Sequence, residues 1–346
     1  MTKLKPYLVG ACLGILGLGF VPLSGLIPSS AEPGQPPVLD WYFNLAAQQG
    51  ITLWSLGVEV PALDEPGMAQ RGAGHYEMVC ADCHGSPEAP AQQFAENLSP
   101  PPPELVDRMG QWHPEARVFA TVKHGIGRTA MPGWPTQMRD DEVWDMVAFL
   151  QTLPDLDRGG YAELVGDASA NGCARCHGAD GEGLVPGTPR LDIQTPVYIE
   201  TALRAFRDGT RQSGTMMAAA RRLSDEDIAE LAEHYGRGVT VQAHAGNVDV
   251  AEIARAGIPE RDVPACESCH GTTARPGFPR LEGQDADYLL NQLELFKLLG
   301  SERGGPDAHI MAEVVRGLEP EQILELAEWY GRGKVTRKSR VLPLHP

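Results

Sequence analysis

The hydrophobic and polar positions divide the chain into stretches of different character. Lys3 and Lys5 open it, and Tyr7 to Ile27 is uncharged and mostly apolar before the small residues Ser29-Ser30-Ala31. A basic start, an apolar run and a small-residue end predict an export signal over residues 1–31, cleaved before Glu32. The run is also long enough to cross a bilayer, so an uncleaved anchor is the competing reading. Gly10, Gly14, Gly17, Gly19 and Pro22 weaken it as a helix and favour cleavage. Residues 32–66 come next as an arm. After a proline-rich start, Asp40 is expected to cap a short helix through Trp41, Phe43 and Leu45, and Ile51 to Val60 is apolar again. The arm is expected to pack on the unit that begins at about Gly67; a surface for a membrane or a partner is the second reading.

Farther on, the apolar period is helical and the pattern repeats. From Asp140, the residues Val143, Val147 and Leu150 recur at helical spacing and predict a helix. Gln194, Tyr198, Leu203 and Phe206 return 90 positions later as Gln284, Tyr288, Leu293 and Phe296. Leu223, Ile228, Leu231, Ala232, Tyr235, Gly236, Arg237 and Gly238 return 95 positions later as Leu318, Ile323, Leu326, Ala327, Tyr330, Gly331, Arg332 and Gly333. Ser224 before three acidic residues is a helix start, since its hydroxyl can accept a free N–H while the acids face the positive end of the dipole. Aromatics make up only 6% of the chain, against 39 Gly and 29 Pro. That balance suits small helical units with long loops, not a large sheet.

Between these elements lie Cys80-Ala81-Asp82-Cys83-His84, Cys173-Ala174-Arg175-Cys176-His177 and Cys266-Glu267-Ser268-Cys269-His270. Each is a Cys-x-x-Cys-His, the spacing of c-type haem attachment. Two thiols three positions apart reach the vinyl groups on one porphyrin edge, and the histidine after them can bind the iron. Cysteine arithmetic opposes other chemistry. Of seven cysteines six belong to these motifs, and Cys12 lies in the N-terminal apolar run. A structural zinc wants four N or S ligands, and no second pair is left to complete a site. A dithiol redox motif would occur once, on a thioredoxin-like pattern. Cys173 lies 93 positions after Cys80, and Cys266 lies 93 after Cys173. The expected organisation is therefore all-α, with three tandem haem modules at 67–154, 160–240 and 248–335 and a tail at 336–346. Units this short have modest cores, which a covalently held haem c would fill in each of the three.

Gly72 and Tyr76 precede Cys80 by eight and four positions, on one helical face where a glycine lets another helix come close. Here residues 67–154 resemble class I cytochromes c, whose first helix crosses the last at those positions. The resemblance implies that Thr129-Ala130-Met131-Pro132-Gly133-Trp134 is the loop bringing Met131 to the iron opposite His84, and that Pro103-Glu104-Leu105 lies beside that histidine. Met138 and Met146, at or inside the closing helix, are the rival sulfurs and are expected to be packing. Residues 160–335 resemble the di-haem cytochromes c4, through Thr188-Pro189-Arg190-Leu191, Phe278-Pro279-Arg280-Leu281 and the repeats above. That family places its methionine seven residues before the leucine of the helix entry. The rule implies Met216 opposite His177 and Met311 opposite His270, with Met217 and His309 as rivals. The segments before Cys173 and Cys266 lack the glycine and aromatic pair, so their first helices are expected to be short or irregular. His75, His113, His124, His234, His244 and His345 have no evident metal role.

Net charge is −17, and loss of Lys3 and Lys5 with a leader leaves 27 basic against 46 acidic residues, or −19. Nucleic acid and anionic lipid are poor partners for such a chain, whereas a basic docking face on another protein fits; the alternative is that acidity serves solubility. Iron held by histidine and methionine is six-coordinate, and the thioether favours its reduced form. The expected function is a periplasmic carrier of single electrons, not an enzyme, with a dehydrogenase, a bc1-type donor or a terminal oxidase as redox partner. An inner-membrane association through the N-terminus goes with the uncleaved reading. The alternative is a cytochrome subunit of a membrane-associated dehydrogenase or oxidase complex. A haem enzyme such as a peroxidase is the third class, distinguished by a five-coordinate resting iron.

Overall fold

The structure is a computed structural model describing residues 37–109, 114–166, 172–241, 248–271 and 275–332. The expected signal or anchor at 1–31, Cys12, His113, His244, Gly333, His345 and the tail at 336–346 lie outside the described residues. The chain is mostly helical, with strand limited to a parallel bridge between Gln284–Asp285 and Gly331–Arg332. No helix among the described residues is long and apolar enough to cross a membrane.

The arm forms one long helix, α1 (Pro37–Trp54), where a short one ending near Leu45 was expected. Asp40 lies in its first turn instead of capping it. The helix runs through Gly50 because its far end is held from outside: Arg117 donates to Gln48 at 2.8 Å and also to Thr52. Ile51 is its buried residue, and Trp54 packs on His124 with ring centres 4.8 Å apart. Leu39, Phe43 and Ala47 are half-buried, while Val38, Trp41 and Leu53 stay exposed.

Helix α2 (Met68–His75) continues through a π-helical turn, Tyr76–Cys80, into the short α3 (Ala81–His84). It crosses α5 (Asp140–Thr152) at Gly72, where an added Cβ would stand 2.2 Å from the Asp145 carbonyl oxygen and 2.7 Å from the Phe149 Cβ. Tyr76 is fully buried there, 5.0 Å from Phe149 between ring centres, and its hydroxyl donates to the Gly85 carbonyl at 2.6 Å. Helix α4 (Glu115–His124) closes this core with Phe119 stacked on Trp144. Met146 is buried in it as packing. Helix α6 (Arg158–Val165), capped by Asp157, adds Tyr161 and Val165 to the same core.

The next two stretches repeat one arrangement. Short α7 (Ala174–His177) carries the second motif, and α8 (Pro196–Arg207) packs on α9 (Gly214–Ala220) and α10 (Asp225–Tyr235). After α11 (Val248–Ala256) and short α12 (Glu267–His270), α13 (Ala286–Leu299) packs likewise on α14 (Ala308–Arg316) and α15 (Pro320–Tyr330). The repeated apolar positions become two matching cores. Ile199, Leu231, Ala232 and Tyr235 make one; Leu289, Leu326, Ala327 and Tyr330 belong to the other. Ser224 caps α10 as expected, in a reciprocal box with Asp227 at 2.8 and 3.1 Å. Helices α6 and α11 both end at a positive-φ glycine well before the next motif, Gly166 and Gly257, so neither runs on into its cysteines as α2 does.

Two glutamines hold the repeats together. The Gln194 amide donates to the Arg280 carbonyl at 2.9 Å and its oxygen accepts the Arg280 N–H at 2.9 Å. Gln284 mirrors this on Arg190, at 3.0 and 2.6 Å. The first unit docks on the second through charge. Arg71 grips Asp145 with two 2.7 Å bonds and reaches the Pro186 carbonyl; Arg139 donates to the Gln212 carbonyl at 3.0 Å. Glu142 accepts from Ser213 Oγ at 2.6 Å and from the Thr215 N–H at 3.2 Å. Burial raises the Glu142 carboxyl despite Arg139 beside it, and these two donors satisfy its oxygens.

Candidate haem sites

All three Cys-x-x-Cys-His motifs end in a single helical turn, α3, α7 or α12, which sets both thiols and the ring on one side of the backbone. The histidines share one further contact. His84 Nδ1 lies 2.8 Å from the Pro103 carbonyl, His177 Nδ1 2.9 Å from that of Pro189, and His270 Nδ1 2.8 Å from that of Pro279. A carbonyl only accepts, so Nδ1 carries the proton and Nε2 keeps its lone pair for a metal. Burial lowers the pKa of all three rings and holds them neutral, which is the ligating form.

The cysteines do not resemble a dithiol catalyst. Burial pushes the Cys80 thiol up to about 12 and the Cys176 thiol up to about 11, so thiolate is scarce at neutral pH. The surroundings fit a porphyrin better. A cavity of about 680 Å3 has Cys173, Cys176, His177 and Met216 on one part of its wall and Cys266, Cys269, His270 and Met311 on another. Leu203, Phe206, Leu293 and Phe296 line it too, so it is largely apolar. Tyr235 and Arg211 are also on this wall, and the Tyr235 hydroxyl and Arg211 Nε are buried without a protein partner. An apolar hollow with thiol pairs, imidazoles and orphaned polar atoms suits a large, mostly apolar group with polar edges.

Met216 lies in the first turn of its helix, its N–H donating to the Ser213 cap at 3.1 Å. Met217 is not on the cavity wall. Met311 lies on α14, while His309 is exposed to solvent and also absent from the wall. Met131 and His84 belong to the first unit, away from this cavity. The Met131 loop is pinned at both ends. The Ile126 N–H donates to the Met131 carbonyl at 3.2 Å, and the Trp134 N–H to the Lys123 carbonyl at 2.9 Å. Positive-φ Gly125 lies so close to the loop's return that a Cβ would stand 2.5 Å from the Gly133 nitrogen.

Sequence reasoning missed Arg211 and Arg303. Both are buried on the cavity wall, Arg211 over the Phe206 ring at 4.5 Å and Arg303 over Phe296 at 4.8 Å. The signal was an arginine shortly after each of two repeat-equivalent phenylalanines. It is blurred because the spacing differs, five residues in one case and seven in the other. His75 was given no metal role; it is buried against Trp134, with ring centres 4.4 Å apart, and reaches the same cavity from the first unit.

Comparison with known proteins agrees with this chemistry. The family described as "Cytochrome C oxidase, cbb3-type, subunit III" matches residues 67–150 and 167–234. Cytochrome c4 of Thiocapsa roseopersicina is 34% identical over 174 residues, which is 47% of this chain and 88% of that protein. A thiosulfate dehydrogenase electron acceptor of Stutzerimonas stutzeri is 32% identical over 180 residues, 49% of this chain and 82% of that protein. The solved cytochrome c4 of Acidithiobacillus ferrooxidans aligns with TM-score 0.40 at 30% identity, covering 46% of this chain and 96% of that one. Matched along nearly the full length of a cytochrome c4, with attachment motifs and neutral imidazoles of the right kind, the chain belongs to the cytochrome c4-like family of multi-haem c-type cytochromes.

Proposed function

We propose that this c-type cytochrome is an exported, periplasmic tri-haem carrier of single electrons, built of modules at 67–154, 160–240 and 248–335. Haem c would be held at Cys80/Cys83, Cys173/Cys176 and Cys266/Cys269, with His84 and Met131, His177 and Met216, and His270 and Met311 as the residues that would ligate each iron. The observation that carries the reading is the repeated one: three attachment motifs, each with its histidine Nδ1 tied to a proline carbonyl. Bound haem supplies a reversible one-electron couple at its iron. The chain's residues do the rest. The proline carbonyls orient each imidazole, Met131, Met216 and Met311 would supply a sulfur ligand to each iron, and Leu203, Phe206, Leu293 and Phe296 give the cavity an apolar lining.

Intact mass of the denatured, exported protein should exceed the polypeptide by three haems; zinc without haem would end the reading. Met131→Ala, Met216→Ala and Met311→Ala should each remove one sulfur-to-iron charge-transfer band and lower one potential. The band persisting in Met216→Ala but lost in Met217→Ala would move the ligand by one position. A second reading, a cytochrome subunit working with a dehydrogenase, draws on the similarity to a thiosulfate dehydrogenase electron acceptor. Stable co-purification with a catalytic subunit would select it over the free carrier.

A further inference from the structure

Arg211 and Arg303 are equivalent groups of the two repeats, each lying over the matching phenylalanine. The loops that carry them are strapped together. The Gln212 N–H donates to the Arg303 carbonyl at 3.1 Å, and the Gly305 N–H to the Thr210 carbonyl at 2.9 Å. Arg211 spans the junction, donating to Tyr198 Oη of its own repeat at 3.1 Å and to Tyr288 Oη of the other at 3.2 Å. Arg303 donates to Gln292 and to the Gly304 carbonyl.

None of these acceptors is a carboxylate. Neither guanidinium forms an ion pair with a carboxylate among the described residues, and both are only 7% exposed. Asp287 is on the same wall and has an interaction of its own. Two uncompensated cations in an apolar cavity are costly unless an anion joins them. Repulsion from Arg211 adds to burial in lowering Arg303 to about 9, the strain an anion would relieve. The largely apolar group that the neighbouring motifs would carry into this cavity has one anionic part, its two propionates.

We propose that Arg211 and Arg303 form one cationic clasp that receives propionates from both the haem at Cys173/Cys176 and the haem at Cys266/Cys269. The proposal rests on the tri-haem reading above. The two arginines are positioning residues: they fix the tilt of both groups and place a shared positive charge beside two irons. Positive charge disfavours the oxidised, more positive iron, so the clasp raises both potentials together.

The test is a spectroelectrochemical titration of the full holo-protein, with haem content checked by intact mass. In Arg211→Gln and in Arg303→Gln, the redox equilibrium of two haems should shift towards ferric by on the order of tenfold, 59 mV for one electron, with the third unmoved. Arg211→Lys should keep both potentials near wild type while shifting the propionate-bending bands of two haems in resonance Raman spectra, because charge is kept and the fork lost. With three haems present, unmoved potentials in both glutamine variants, or all three moving together, would overturn the clasp. So would potentials of the wild type that respond to inorganic phosphate, since the arginines would then hold a free anion. A mass below three haems would overturn the tri-haem reading itself, and the clasp with it.

Discussion

Gln284 offers the sharpest test of how the two repeats are joined. It is 2% exposed, and its oxygen accepts the Arg190 N–H at 2.6 Å and the Asp285 N–H at 2.8 Å while its amide donates to the Arg190 carbonyl at 3.0 Å. Gln284→Ala leaves those three backbone groups without partners. Arg190 is buried at 7% exposure, so water does not easily replace the lost bonds. At about 1–3 kcal/mol for each buried group left unpaired, with some relaxation, the loss should be about 2–4 kcal/mol. Gln194→Ala removes the mirror-image bonds to Arg280, but those groups are only half-buried and water can take over, so about 1 kcal/mol is expected. The two bonds share one interface, so the double variant should lose less than the sum of the singles. Guanidinium unfolding of the holo-protein, followed by haem absorbance, measures all three. Equal losses, or the larger loss in Gln194→Ala, would refute the argument that burial of the partner decides the cost.

Other consequences are open to measurement. Burial lowers His75 to about 4, so between pH 6.5 and 4 the unfolded chain takes up a proton that the folded one refuses. Stability is therefore unaffected above pH 6.5 and falls by up to about 3 kcal/mol as the pH drops to 4; His75→Gln should flatten that part of the pH profile, and an unchanged profile would exclude His75 as its source. Gly72→Ala puts a methyl 2.2 Å from a backbone oxygen, so α2 and α5 must separate at about 1–3 kcal/mol or more; a thermally neutral variant would mean the helices do not cross there. The electron-transfer rate with a basic partner should fall with rising salt, since charges more than about 8 Å apart are screened at physiological ionic strength. A flat salt profile would assign the acidity to solubility.

Local pattern carried the parts of this fold that depend on near neighbours. Gly72, Tyr76, Val147 and Leu150 announced a helix crossing because a missing side chain and an apolar face are written in the sequence. Ser224 announced its cap for the same reason. The haem motifs were legible because attachment needs a fixed spacing. What joins distant segments was not. Gln194 and Gln284 were visible as a repeat, yet each bonds the backbone of the other repeat, and backbone partners leave no mark in residue identity. Nothing in the sequence singled out Asp141 and Glu142; in the structure they grip Arg139, and Asn291 and Ser213 reach them from the other units. Helix α1 overran its predicted end because Arg117, 65 and 69 residues away, holds its last turns.

The closeness of the first unit to the second motif has a consequence for assembly. Gly74 lies over Cys176 so tightly that a Cβ there would stand 2.9 Å from the sulfur. Arg71, three residues earlier, locks that helix down through the Pro186 carbonyl. A maturation enzyme that must bring porphyrin and thiol together has no room to work beneath a docked helix. Were haem joined at Cys176, it would have to be loaded before this helix docks. Loosening the lock with Arg71→Ala should then leave the haem mass carried by the protein unchanged, and a mass short by one haem would mean that docking assists loading.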